Sequence, residues 1–178
     1  MLWLLPMVFA LIAVVDACPT PCKCEDTDII TCFGQRLLEL PRLPQSTKQL
    51  YATHNKIQAL PDEGLEELTI LDLTKNAFNL SLNTNWQNMS NLTKLFLSGN
   101  GLSTLTPRQF QGLSNLEVLD LSDNQIKTLP QMFLYGLTKL QVLNLNMNKI
   151  FSLSYGVLDG APALNDLQLR SNMVKMIE

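Results

Sequence analysis

"LEVLDLSDNQIKTL", residues 116 to 129, sets an Asn between two groups of evenly spaced apolar residues, and nearly the same arrangement returns as "LQVLNLNMNKIFSL" at residues 140 to 153. A polar side chain inside an apolar pattern is costly unless it satisfies something buried. Numbered from its first leucine, the pattern is LxxLxLxxNxLxxL. It is met in full by Leu92, Leu95, Leu97, Asn100, Leu102 and Leu105. Leu116, Leu119, Leu121, Asn124, Ile126 and Leu129 repeat it, as do Leu140, Leu143, Leu145, Asn148, Ile150 and Leu153, and a further unit starts at Leu164. Asparagine recurs at Asn55, Asn76, Asn100, Asn124, Asn148 and Asn172, at intervals of 21, 24, 24, 24 and 24. A fixed period of this size marks a solenoid of stacked coils.

The fourth and sixth positions lie two apart, so on a short strand both point to one face, into a shared core. The third, fifth and seventh point outward. One such coil cannot bury its leucines, but stacked coils bury them against one another and align their strands as a parallel sheet. After the strand the chain turns, which leaves inward-facing backbone groups without ladder partners. A short amide with two donors and an acceptor satisfies them. The asparagines are therefore expected to form a structural column that ties successive turns together, not a binding site.

Bulky apolar pairs close the convex side of each unit: Trp86 with Met89, Phe110 with Leu113, and Leu134, beside Phe133, with Leu137. Two units depart from the pattern. The first is three residues short and carries Ala52 where leucine is expected, which calls for a tighter loop around Pro61 and Gly64. The second has Ser81, between Leu80 and Leu82, in a leucine position, which predicts a local slip or bulge.

Residues 1 to 17, "MLWLLPMVFALIAVVDA", are almost uninterruptedly apolar, and Val15 and Ala17 suit the small positions before a signal-peptidase cut ahead of Cys18. The run reads as a signal peptide and is too short for a good membrane span; the alternative is a buried N-terminal helix or strand. All four cysteines follow at once, in "CPTPCKCEDTDIITC", as Cys18, Cys22, Cys24 and Cys32. Four thiols behind a signal peptide read as two disulfides in an oxidising compartment. The rival reading, zinc, lacks paired CxxC knuckles, and the one histidine, His54, lies elsewhere. Three Asn-x-Ser/Thr sequons, Asn79, Asn88 and Asn91, fall in the irregular second unit and are expected to accept glycans, although Asn88 and Asn91 are close enough to hinder each other. The formal charge is -3, and loss of residues 1 to 17 removes Asp16, leaving 15 acidic against 13 basic groups and a charge of -2. Nothing in that balance favours nucleic acid or a membrane surface as partner.

The cysteine-rich stretch and the 24-residue units together resemble extracellular leucine-rich repeat proteins, whose members include neuronal adhesion and guidance receptors, small matrix proteoglycans and Toll-like receptors. The resemblance covers residues 18 to 178. It implies an α/β-type solenoid: a leucine-rich repeat horseshoe with a concave parallel β-sheet, an irregular or short-helical convex side, and a disulfide-bonded N-terminal cap. The domain reading is signal peptide 1–17, cap 18–46 and about six repeats over 47–178, the last incomplete. In such caps the first cysteine pairs with the third and the second with the fourth, which implies Cys18 to Cys24 and Cys22 to Cys32 here. Such proteins usually close with a second cysteine-rich cap, whereas this sequence stops within its sixth unit. A C-terminally truncated chain is therefore expected, with any membrane anchor in a further part.

The outward columns define the candidate binding face. Tyr51, Ile70, Phe96, Val118 and Val142 form an apolar track, flanked by Asp72 and Asp120, with Asn144 beside it. Exposed aromatics beside charges suit a protein-binding anchor. Strand propensity alone accounts equally well for Val118 and Val142. An enzyme using Asp72 and Asp120 is the other class, but two strand spacings put their backbones about 10 Å apart, with Phe96 between, outside glycosidase geometry. The sequence also lacks a free thiol and a glycine-rich phosphate loop. It reads as a non-enzymatic, secreted or cell-surface protein-binding module of adhesion or guidance type, with matrix or innate-immune recognition as the alternative. No cofactor, metal or small-molecule substrate is expected.

Overall fold

The computed structural model describes residues 17–81 and 86–177. The expected signal peptide, Ala17 excepted, lies outside the described residues, as does Leu82.

Each unit contributes one three-residue strand at its third to fifth positions. After β1 (Lys23–Asp26) and β2 (Ile29–Thr31) in the cap come β3 (Gln49–Tyr51), β4 (Ile70–Asp72), β5 (Lys94–Phe96), β6 (Val118–Asp120) and β7 (Val142–Asn144). The short β8 (Ser152–Leu153) follows, then β9 (Asp166–Gln168) and β10 (Met176–Ile177). Eight of these form one sheet in the order β1-β2-β3-β4-β5-β6-β7-β9. Every pairing in it is parallel except the antiparallel hairpin of β1 and β2. β8 and β10 form a separate parallel pair on the return side of the coils. The cap thus adds two strands of its own to the concave sheet, which the cysteine pattern did not reveal.

Alternation along each strand sorts the side chains as period two requires. Leu71, Leu95, Leu119 and Leu143 point inward and have no exposed surface, and so do Leu73, Leu97, Leu121 and Leu145 at the sixth position. Burial of a leucine stabilises by about 1.5 to 3 kcal/mol, so stacking of these rows dominates the fold. Ala52 fills the same row in the first unit and is fully buried. The convex pairs close the core as expected: Trp86, Met89, Phe110, Leu113, Phe133, Leu134 and Leu137 are all buried. Trp86 joins Phe78 and Phe110 in a tilted aromatic row, with ring centroids 6.4 and 6.0 Å apart. One 3-10 turn, Trp86–Met89, is the helical content among the described residues; the other convex segments are turns. In the second unit Leu80 is buried and Ser81 exposed, a one-residue slip against its neighbours.

The asparagine column carries the hydrogen bonding between coils. Asn124 Nδ2 donates to the carbonyls of Leu121 (2.9 Å) and Ser122 (2.9 Å) in its own turn and of Leu97 (3.0 Å) in the preceding coil. Its Oδ1 accepts from Asn100 N and Leu102 N, both at 3.0 Å. Asn148 donates to Leu121, Leu145 and Asn146 and accepts from Ile126 N. Asn124 is only 6 % exposed, and Asn55, Asn100 and Asn148 are also buried. The residue before each asparagine lies in the left-handed region in all six units, with φ between 51° and 68°: His54, Lys75, Gly99, Asp123, Met147 and Ser171. That turn aims the amide inward.

In the cap, Cys18 is bonded to Cys24 and Cys22 to Cys32, and Cys32 is fully buried against the first coil. At the other end Leu164, Leu167, Leu169 and Val174 are only partly buried.

Candidate functional site on the concave sheet

The ladder brings the outward columns into strict register. Tyr51, Asp72, Phe96, Asp120, Asn144 and Gln168 stand opposite one another in succession, and so do Gln49, Ile70, Lys94, Val118, Val142 and Asp166. Tyr51, Ile70, Phe96, Val118 and Val142 are half-buried, because neighbours about 4.8 Å away on either side cover their flanks. Phe96 sits between Asp72 and Asp120 in its row.

Each of the two carboxylates has a task in the fold. Asp72 Oδ1 accepts from Thr74 N at 2.8 Å and Asp120 Oδ1 from Ser122 N at 2.8 Å, each folding the chain into an Asx turn as it leaves the strand. Asn144 does the same with Asn146 N at 3.1 Å. One oxygen of each aspartate is thereby committed to the fold, and no basic group pairs with either among the described residues. The sequence signal of this turn is D-L-T, D-L-S and N-L-N where β4, β6 and β7 end, against F-L-S at β5.

Both ends of the face are internally bonded. Tyr51 Oη donates to Gln49 Oε1 at 3.0 Å. At the far end Asn146 Nδ2 donates to Gln168 Oε1 (3.1 Å), and Gln168 Nε2 to Asp166 Oδ2 (2.8 Å). In the middle, Ser122 and Ser98 join hydroxyls at 3.0 Å across β5 and β6. Around the exposed Lys94 and the Ser98–Ser122 pair, the side chains of Ile70, Phe96, Val118 and Val142 give the face its apolar surface.

The three sequon asparagines are exposed and belong to the second unit. Asn79 Oδ1 accepts from Ser81 N at 2.9 Å, leaving its Nδ2 without a partner among the described residues. Asn88 Nδ2 donates to Asp62 O at 3.3 Å and Asn91 Nδ2 to Glu66 O at 3.1 Å, in the loop of the preceding coil. None of the three lies on a sheet strand.

A family model described as Leucine rich repeat matches residues 66–126, 90–136 and 114–174. Among curated proteins, mouse (Mus musculus) nephrocan is 38% identical over 56 residues, which is 31% of this chain and 10% of nephrocan. Among solved structures, a chain of the octameric complex of Latrophilin 3 (Lec, Olf), Unc5D (Ig, Ig2, TSP1) and FLRT2 (LRR) aligns with a TM-score of 0.67 and 26% identity, over 75% of this chain and 42% of that one. A chain of the TLR13–ssRNA13 complex gives a TM-score of 0.67 and 27% identity over 75% of this chain and 21% of its own length. The mouse RP105/MD-1 complex gives 0.60 and 27% over 88% and 31%. The chain spans less than half the length of each of these proteins.

Proposed function

We propose, from the premise that the chain belongs to the leucine-rich repeat family, that it is a non-enzymatic extracellular recognition module that binds a protein through the concave sheet. The observation that carries this reading is the half-buried apolar group of Ile70, Phe96, Val118 and Val142 on the outward side of the sheet. Phe96 is its anchor: it takes the row position that Asp72 and Asp120 use for turns, so its ring has no local structural task. Tyr51 extends the strip toward the cap, and Asp72, Asp120 and Asn144 contribute through the polar atoms their turns leave over.

Adhesion or guidance recognition at the cell surface is the reading we favour within this class, supported by likeness to a chain in the Latrophilin 3, Unc5D and FLRT2 assembly. Likeness to the RP105/MD-1 and TLR13 complexes supports innate-immune recognition as the second reading. The acidic balance of this chain argues against an RNA partner. Glycans on Asn79, Asn88 and Asn91 would lie off the sheet and leave the concave face open.

The test is Phe96→Asp beside Leu97→Asp, in binding assays against displayed extracellular domains. Phe96→Asp is expected to change stability by less than about 1 kcal/mol and to weaken binding by about 2 kcal/mol or more. Leu97→Asp buries an unpaired charge and should prevent secretion. Full binding by both Phe96→Asp and Tyr51→Asp would exclude the concave face.

A further inference from the structure

Past the asparagine column, alternate residues of every unit point outward along a second surface, separate from the concave sheet. In the last three units this flank carries Lys127, Met147, Lys149, Phe151, Met173 and Lys175, all exposed. Met147, Phe151 and Met173 keep 58, 47 and 52 % of their surface in solvent. Bonds between coils fix their placement: Phe151 N donates to Lys127 O (3.4 Å) and Lys175 N to Phe151 O (3.0 Å). Lys149 N donates to Ile126 O and Met173 N to Ile150 O, both at 2.9 Å. Lys127, Phe151 and Lys175 therefore form one row at about 5 Å spacing, with Phe151 between the two lysines.

None of the three lysines has a carboxylate within ion-pairing distance among the described residues; Lys149 Nζ reaches only Gln125 Oε1, at 3.2 Å. Asp123 is the one acid in these outward rows. The corresponding positions hold Lys75, Ala77 and Asn79 in the second unit, Gly99, Gly101 and Ser103 in the third, and His54, Lys56 and Gln58 in the first; Asn79 is a sequon. Large exposed apolar side chains at these positions are thus confined to one end of the flank, where three of its five exposed lysines also lie, on a chain whose net charge is negative.

We infer that this flank is a second docking surface, for an acidic protein segment that carries an apolar residue between carboxylates. The apolar residue covers Met147, Phe151 and Met173, whose unbranched thioethers adapt to an irregular partner, and the carboxylates meet Lys127, Lys149 and Lys175. A sulfated glycan would use the lysines alone and gain nothing from the apolar centre, which is why a protein segment fits better. The site goes beyond the concave reading and stands or falls independently of it.

The probe is a labelled synthetic peptide with one phenylalanine between runs of glutamate, titrated against the whole chain by fluorescence anisotropy. Controls are the same peptide with lysine for glutamate, the same peptide with serine for phenylalanine, and heparin. Binding of the acidic peptide should weaken at least tenfold with Phe151→Asp, and likewise when serine replaces its phenylalanine. Lys127→Glu combined with Lys175→Glu should abolish that binding and transfer preference to the lysine peptide. Phe96→Asp should leave it unchanged, so failure here is distinguishable from failure of the concave assignment. No binding of the acidic peptide by the unsubstituted chain would overturn the inference. So would binding that ignores phenylalanine and is matched by heparin, which would mark the flank as a simple polyanion surface.

Discussion

Asn124 shows how one residue type can be read from spacing. Its five hydrogen bonds satisfy two carbonyls in its own turn, a third carbonyl in the coil before it, and two backbone N–H groups of that same coil. Asn124→Ala would leave buried donors and acceptors unpaired at about 1 to 3 kcal/mol each when unrelieved. We expect a loss of about 3 kcal/mol or more in urea unfolding. Asn172, half-buried in the last unit and accepting only from Ile150 N, should cost clearly less. The interval of 24 announced this role because no other requirement returns a polar residue to an apolar row so regularly. The turn role of Asp72 and Asp120 was not legible because a turn-forming carboxylate and a ligand-binding carboxylate look alike in a sequence; the bonds to Thr74 N and Ser122 N show it.

The convex turns are the least legible elements, since their geometry depends on what the neighbouring coil presents. Gly160 and Gly136 occupy the same place in adjacent units, yet a Cβ on Gly160 would stand 2.5 Å from the carbonyl carbon of Leu134, while one on Gly136 meets nothing within 4 Å. Gly136 instead has a φ of 86°, which side chains tolerate poorly. Gly160→Ala must push two coils apart and is expected to cost about 2 kcal/mol or more. Gly136→Ala should cost about 1 to 2 kcal/mol by strain alone, and Gly136→Asn less, because asparagine accepts the left-handed region. Thermal unfolding of the set decides it, and equal losses for Gly160→Asn and Gly136→Asn would refute the distinction. The cap is the other element where physics exceeds pattern. Its four cysteines announced cross-linking, but the strand Ile29–Thr31 that joins the sheet is too short to have periodicity of its own. Each bridge is expected to contribute about 2 to 4 kcal/mol. Nonreducing peptide mapping should recover Cys18 with Cys24 and Cys22 with Cys32, and mild reduction should lower the melting temperature.

At the scale of the molecule, a solenoid separates stability from recognition by side-chain parity alone. Leu95 and Leu97 face inward and are fully buried, while Lys94, Phe96 and Ser98 between and beside them face the concave side. This division was fully legible from the repeat, because one residue of register slip would exchange the two sets. What the pattern could not supply was the distribution of polar bonding over the face, in which Asp72, Asp120 and Asn144 bond to their own turns and Phe96, in the same row, does not. The central claim is most directly tested by hydroxyl-radical footprinting of the chain with and without a bound extracellular protein partner. The account predicts strong protection of Phe96 and Tyr51 in the complex, with Tyr155, on the convex side, unchanged. Protection of Tyr155 with no change at Phe96 would contradict it.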